Sequence, residues 1–351
     1  MAAPQLIVVS PRGSGTPLLT EFTTALGYSS YGTMSEVRPA GDERPGSGTG
    51  PRPGTGAGPG PGPGEVYPLL VASYGQDRAV RLLRRRDEER DEERDEERDE
   101  LRSAFQEAVS ALWRVWWTRL GQPVTLTSPL DPDLEGRLAR VPDSELHRLL
   151  PGRGCWYVTG LDLQRAEAGF LRAWHAEGQP PVIFHDRDVR DRIISQIQLL
   201  SGPAERVGSL PDHLIYRDIV RALPTMDARI TLALTDPAFP GMEETRRCQW
   251  LARHPAVTVI THEELAGPAH GGTTEAREEA VTRLLRATGH PSLALDLPSP
   301  SPDLPSPRAG GGDDLEVGVW RRHFTPAHER ILARLHSDLL TGPSALPAGS
   351  N

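Results

Sequence analysis

The stretch Gln5–Gly27, QLIVVSPRGSGTPLLTEFTTALG, decides how the chain is read. Leu6-Ile7-Val8-Val9 is a short β-rich apolar run, the pattern of a strand buried on both faces of a parallel sheet. The glycine-bearing turn Ser10-Pro11-Arg12-Gly13-Ser14-Gly15-Thr16 follows it. Pro17 suits the first position of a helix, where its missing N–H would have been unpaired anyway. Leu18, Leu19, Phe22 and Leu26 recur at helical spacing, and Gly27 ends the helix. Strand, turn and helix together make an anion cradle. Backbone N–H groups line the turn, the helix dipole adds partial positive charge, and Arg12 adds a full one. A phosphate is the expected guest, with Arg12, Gly13, Ser14, Gly15 and Thr16 as its ligands. A nucleoside-triphosphatase loop would read G-x-x-x-x-G-K-[ST], and Gly15-Thr16-Pro17 stands where its lysine would be.

The 351 residues can bury one large core or two modest ones. The net charge of −9 argues against a general nucleic-acid partner. Every basic residue except histidine is arginine. The two cysteines, Cys155 and Cys248, cannot make a disulfide framework and suit a reducing compartment. No basic region precedes the short N-terminal apolar run, and no stretch is long enough to span a bilayer. The expectation is a cytoplasmic protein with no membrane partner.

Along the chain, residues 39–65 are dominated by Gly and Pro and cannot offset their ordering entropy, which predicts a disordered insertion. Val66–Arg86 reads as a helix. Asp87–Glu100 repeats D-E-E-R three times, with attractive i,i+3 pairs, and predicts a solvated charged helix within residues 76–120. Its continuation carries Trp113, Trp116 and Trp117, read as core packing, with the lining of an acceptor pocket as the alternative. Trp156–Thr159, Pro181–Phe184 and Val257–Ile260 read as strands, and Ile193, Ile194, Ile197 and Leu200 mark a helix. Ile230–Leu234 fits either period. This βαβα alternation favours a parallel sheet flanked by helices. One domain over residues 1–340 is expected, with a flexible tail at 341–351.

Four stretches in order resemble PAPS-dependent sulfotransferases, where PAPS is 3′-phosphoadenosine 5′-phosphosulfate. The turn at 10–16 is similar to their P-K/R-S-G-T-T loop, with Gly13 as an extra residue and Pro17 replacing the second threonine. Arg187-Asp188-Val189-Arg190-Asp191 with Ser195 resembles R-x-P-R-D-x-x-x-S, with Val189 for the proline. Thr261–Pro268 with Gly271-Gly272 resembles the Y/F-E-D-L-x-G-P…GG stretch of bacterial members. Gly318-Val319-Trp320-Arg321-Arg322-His323-Phe324-Thr325-Pro326 resembles G-D-W-K-N-H-F-T-P. The resemblance implies a P-loop NTPase-like sheet, with PAPS as co-substrate and a small-molecule hydroxyl as acceptor. It also implies that the loop holds the 5′-phosphosulfate and that Arg187 and Ser195 hold the 3′-phosphate. A bidentate guanidinium and a serine donor suit that task.

Two family features are missing. The family's R-K-G falls on Asp313-Asp314-Leu315, and the histidine of its T-G-H-L falls on Leu161 in Thr159-Gly160-Leu161-Asp162. Asp162 is the candidate base in that neighbourhood, beside the alternative that it caps a helix beginning at Leu163. Arg12 is the candidate for steadying the leaving group. No metal-ligand spacing is legible around His262, His323 or His328. The expected function is sulfuryl transfer from PAPS to a small-molecule hydroxyl, by a chain for which a homodimer is compatible. The alternative is a catalytically impaired relative that binds a nucleotide or a protein.

Overall fold

The computed structural model describes residues 5–31, 63–88, 93–121, 131–149, 154–161, 167–169, 172, 181–203, 207, 211–289 and 316–341. Five strands, β1 (Leu6–Val9), β2 (Ser29–Tyr31), β3 (Gly154–Val158), β4 (Val182–Asp186) and β5 (Val257–Thr261), form one sheet in the order β2-β3-β1-β4-β5. All four pairings are parallel, and Val8 sits between Tyr157 and Ile183. Helices α1 (Thr16–Ala25), α2 (Pro63–Tyr74), α3 (Gln76–Glu88), α4 (Glu93–Arg119), α5 (Pro132–Leu138) and α6 (Asp143–Leu146) precede β3. Between β4 and β5 lie α7 (Val189–Ser201), α8 (Pro211–Ala222), α9 (Met226–Thr235) and α10 (Met242–Cys248). α11 (His262–Ala266), α12 (Thr274–Ala287) and α13 (Pro326–Leu335) follow.

The sheet is covered on both faces, which explains the unbroken apolar runs. Ile7, Val9, Trp156, Val158 and Phe184 pack against α4 and α5. Leu6, Val8, Cys155, Tyr157 and Ile183 point the other way, against α1 and α12. A further core joins α7, α8, α9 and α13 with Val319 and Trp320. Trp116 and Trp117 are buried in the first of these cores, and Trp116 stacks on Trp156 at 6.3 Å between centroids. The free cysteines are buried, and burial pushes both thiols up to about 12.

Three readings are sharpened. The helix expected over 66–86 is two, α2 and α3, because Gly75 adopts a φ of +84° between them. Ile230–Leu234 is helical: Ile230, Ala233 and Leu234 are the buried residues of α9, and the Thr225 side chain caps it. Strand β2 was not anticipated. Residues 39–62, 89–92 and 342–351 lie outside the described residues, and Pro63 opens α2. No described helix is long and apolar enough to cross a membrane.

Candidate functional site

The chain leaves β1 toward the β3 side of the sheet and leaves β4 toward β5. Ligands of open parallel sheets bind where connections part in this way, outside the carboxyl ends of the strands. The turn after β1 and the segment after β4 meet at that point.

In the turn, Gly13 and Gly15 both have φ +80°, and Gly15 is the residue from which α1 starts, with no side-chain cap. Pro17 lies in the first turn of α1, as its chemistry requires. The N–H of Ser14 reaches the Pro11 carbonyl at 3.1 Å and that of Leu18 the Gly15 carbonyl at 3.0 Å, closing the turn. The Ser14 hydroxyl is fully buried and has no hydrogen-bond partner among the described residues. An orphaned buried hydroxyl beside a helix N-terminus fits an anion, because the anion would satisfy it together with the helix N–H groups. Behind the turn, Ser10 Oγ shares hydrogen bonds with Thr16 Oγ1 at 2.8 Å and His185 Nδ1 at 3.1 Å. An added Cβ on Gly15 would fall 2.2 Å from Nδ1 of His262, so that ring lies directly against the turn.

The segment after β4 is a buried charge cluster. Arg187, Asp188, Arg190, Asp191 and Arg192 are each at most 4% exposed. Arg187 donates from Nη1 to the Gly13 carbonyl at 3.4 Å and from Nη2 to the Glu316 carbonyl at 3.0 Å. Asp188 caps α7 and holds Arg190 through both carboxylate oxygens, at 2.9 and 2.6 Å, while Arg190 lies 3.6 Å over the Trp320 ring. Asp191 accepts from the N–H groups of Gly318 and Trp320 at 2.7 and 2.8 Å. Arg192 donates to Thr245 Oγ1 and to the Arg12 carbonyl. Ser195 is half-buried in the second turn of α7.

The turn after β1, the segment after β4, the stretch after β5 and the 316–320 segment therefore converge. Arg187 bridges the turn and residue 316, Asp191 ties α7 to Gly318, and the Asp188 N–H donates to Glu263 at 2.8 Å. The Val317 N–H donates to the His270 carbonyl at 2.9 Å. Burial pushes Glu263 up to about 8, against the pull of the Asp188 N–H. Burial, reinforced by the Arg187 and Arg192 cations, holds His185 down at about 3.

Arg12 points elsewhere. It donates to His213 Nε2 at 2.6 Å and pairs with Asp212 at 3.3 Å and Glu244 at 3.1 Å. Asp162 lies outside the described residues; Leu161 before it is buried. Sequence reasoning missed Ser10, His185, Asp191, His262 and Glu263. The available signal was position: Ser10, His185, His262 and Glu263 end or directly follow an apolar strand on the carboxyl side of the sheet, and Asp191 lies in the first turn of the helix after β4. Among the described residues, no group of three or more His, Cys, Asp or Glu could hold a metal ion. A hollow of about 640 Å³, lined by β5, Glu264 and α12, includes none of these site residues apart from the strand end Thr261. Comparison with protein-family models finds no match, and comparison with curated proteins finds none.

Proposed function

We propose that the chain binds PAPS at the ends of β1 and β4, on a sheet of the P-loop type. From there it transfers the sulfuryl group to a hydroxyl of a small-molecule acceptor. The supporting observation is the contact of Arg187 with the Gly13 carbonyl, because it sets the cation proposed for the 3′-phosphate against the turn proposed for the 5′-phosphosulfate. In the reaction the acceptor oxygen forms a bond to sulfur while the sulfur–oxygen bond to the 5′-phosphate breaks. The bisphosphate nucleotide leaves with the negative charge. The turn amides and the Ser14 hydroxyl stabilise that charge, and donors already in place cost no reorganisation. Asp162 is proposed to take the acceptor's proton. The free cysteines make a reducing, cytoplasmic setting the proposed one.

A second reading has its own support. Arg12, the proposed leaving-group cation, is paired with two carboxylates on α8 and α10. A chain holding Arg12 there would bind the nucleotide and transfer little. Calorimetry with adenosine 3′,5′-bisphosphate tests the shared binding claim. Arg187→Ala should weaken that nucleotide by about 1.5–3 kcal/mol, the worth of a charge-assisted bond, and barely affect adenosine 5′-monophosphate. Equal losses for both nucleotides sink the assignment. Cofactor consumption with a panel of phenols and alcohols then separates the enzyme from the non-catalytic binder.

A further inference from the structure

Behind the cradle runs a chain of three polar groups, from the end of β4 through the turn to the start of α1. His185 Nδ1 lies 3.1 Å from Ser10 Oγ, which lies 2.8 Å from Thr16 Oγ1. His185 is fully buried, and its Nε2 has no partner among the described residues. Ser10 is 4% exposed, whereas Thr16 is half-buried and stands at the cradle.

The chain can run in two directions with opposite consequences. If the imidazole proton sat on Nε2, a buried N–H would be left unpaired, which folded proteins rarely tolerate. Nδ1 would then accept from Ser10, Ser10 from Thr16, and the Thr16 oxygen would offer only a lone pair outward. If the proton sits on Nδ1, the orphan is a bare lone pair, the milder defect. His185 then donates to Ser10, Ser10 donates to Thr16, and the Thr16 proton is free to point out. The imidazole carries only one proton across the neutral range, because burial and two arginines keep it uncharged.

We propose that His185 is a positioning residue whose Nδ1–H, acting through Ser10, fixes the Thr16 hydroxyl as a hydrogen-bond donor to an anionic oxygen in the cradle. This rests on the cradle being an anion site, and not on sulfuryl transfer. The relay makes the turn selective for phosphate or sulfate oxygens over ligands that themselves donate.

Nitrogen NMR of the imidazoles in the full chain reads the tautomer without any ligand. The His185→Asn spectrum identifies the resonances of His185 among the 11 histidines. The expected result is a neutral ring with the proton on Nδ1; a proton on Nε2 overturns the relay. Calorimetry with inorganic phosphate and with adenosine 3′,5′-bisphosphate is the second arm. Ser10→Ala and His185→Leu should each weaken both anions about tenfold. His185→Asn, whose amide N–H stands near the Nδ1 position, should recover most of the loss. Unchanged affinity in a folded Ser10→Ala variant, or no anion bound by the wild type, overturns the proposal. If Ser10→Ala does not fold, the wild-type tautomer and the Leu–Asn contrast decide. Phosphate binding with no preference for the nucleotide defeats the PAPS reading and leaves the relay standing.

Discussion

Gly15 and Gly75 share a left-handed backbone, at φ +80° and +84°, and differ in what surrounds them. A Cβ at Gly75 would meet nothing within 4 Å, so an alanine there carries only the conformational penalty, about 1–2 kcal/mol. A Cβ at Gly15 would meet the His262 ring at 2.2 Å and 2.7 Å, and that imidazole is fully buried. Overpacking then adds to the backbone term, for a total of roughly 2–5 kcal/mol. Urea unfolding of the two alanine variants should therefore separate them clearly, with Gly15→Ala the less stable. Equal losses would show that the turn can move off His262 at little cost, and with it that the cradle is not rigid. Arg12 is engaged by residues far along the chain. Its partners Asp212 and Glu244 stand some 200 residues away in sequence, so no local pattern could have revealed that its charge is already engaged.

The start of α7 holds the site together as an element. Asp191 is 1% exposed and satisfies two backbone N–H groups from the 318–320 segment. Burial pushes its carboxyl above the ordinary range, and Arg187 and those N–H groups oppose the push. Asp191→Ala leaves two buried donors unpaired and should cost about 2–4 kcal/mol in chemical denaturation, with Asp191→Asn between it and the wild type. A loss below 1 kcal/mol, of the size usual at surface sites, would mean that the segment finds other partners. The apolar run Pro181–Phe184 marked β4, and the spacing of Ile193, Ile194, Ile197 and Leu200 marked α7. Two-sided burial makes such strands readable as continuous apolar runs. β2 was not readable, being three residues, Ser29-Ser30-Tyr31, at the edge of the sheet. Nothing in the local sequence marks the charges of 187–192 as buried. Their burial depends on Trp320, Glu263 and Thr245, contacts that only the tertiary fold supplies.

Over the whole molecule, buried ionisable groups decide where stability peaks with pH. His185 and His213 are held near 3 and 4 against an ordinary 6.5, by burial first and then by Arg187 and Arg192 for His185 and by Arg12 for His213. Below pH 6.5 the unfolded imidazoles take protons that the folded ones refuse, so acid destabilises and stability climbs as pH rises toward 6.5. Glu263 acts with the opposite sign. Its folded value of about 8 against 4.5 means that the folded state keeps a proton the unfolded state has lost, and stability falls as pH rises across that window. Each unmatched proton is worth about 1.4 kcal/mol per pH unit. Between 4.5 and 6.5 the two imidazoles outweigh the one carboxyl; above 6.5 only Glu263 of these three still acts, and the slope reverses. Asp191 and Glu244, also raised by burial, shift the balance toward acid. The stability maximum should therefore lie at or below pH 6.5. A first decline should run from 6.5 to 8, and a second should begin above pH 9, where unfolded Cys155 and Cys248 ionise and the folded thiols do not. Urea midpoints measured across this range check the profile. Glu263→Gln isolates its cause, because the amide oxygen still accepts from the Asp188 N–H while no proton remains to be lost. The variant should be flat between pH 6.5 and 8 where the wild type declines. A wild-type profile that is level or rising there would show Glu263 already ionised at neutral pH, and the site more open to water than its burial implies.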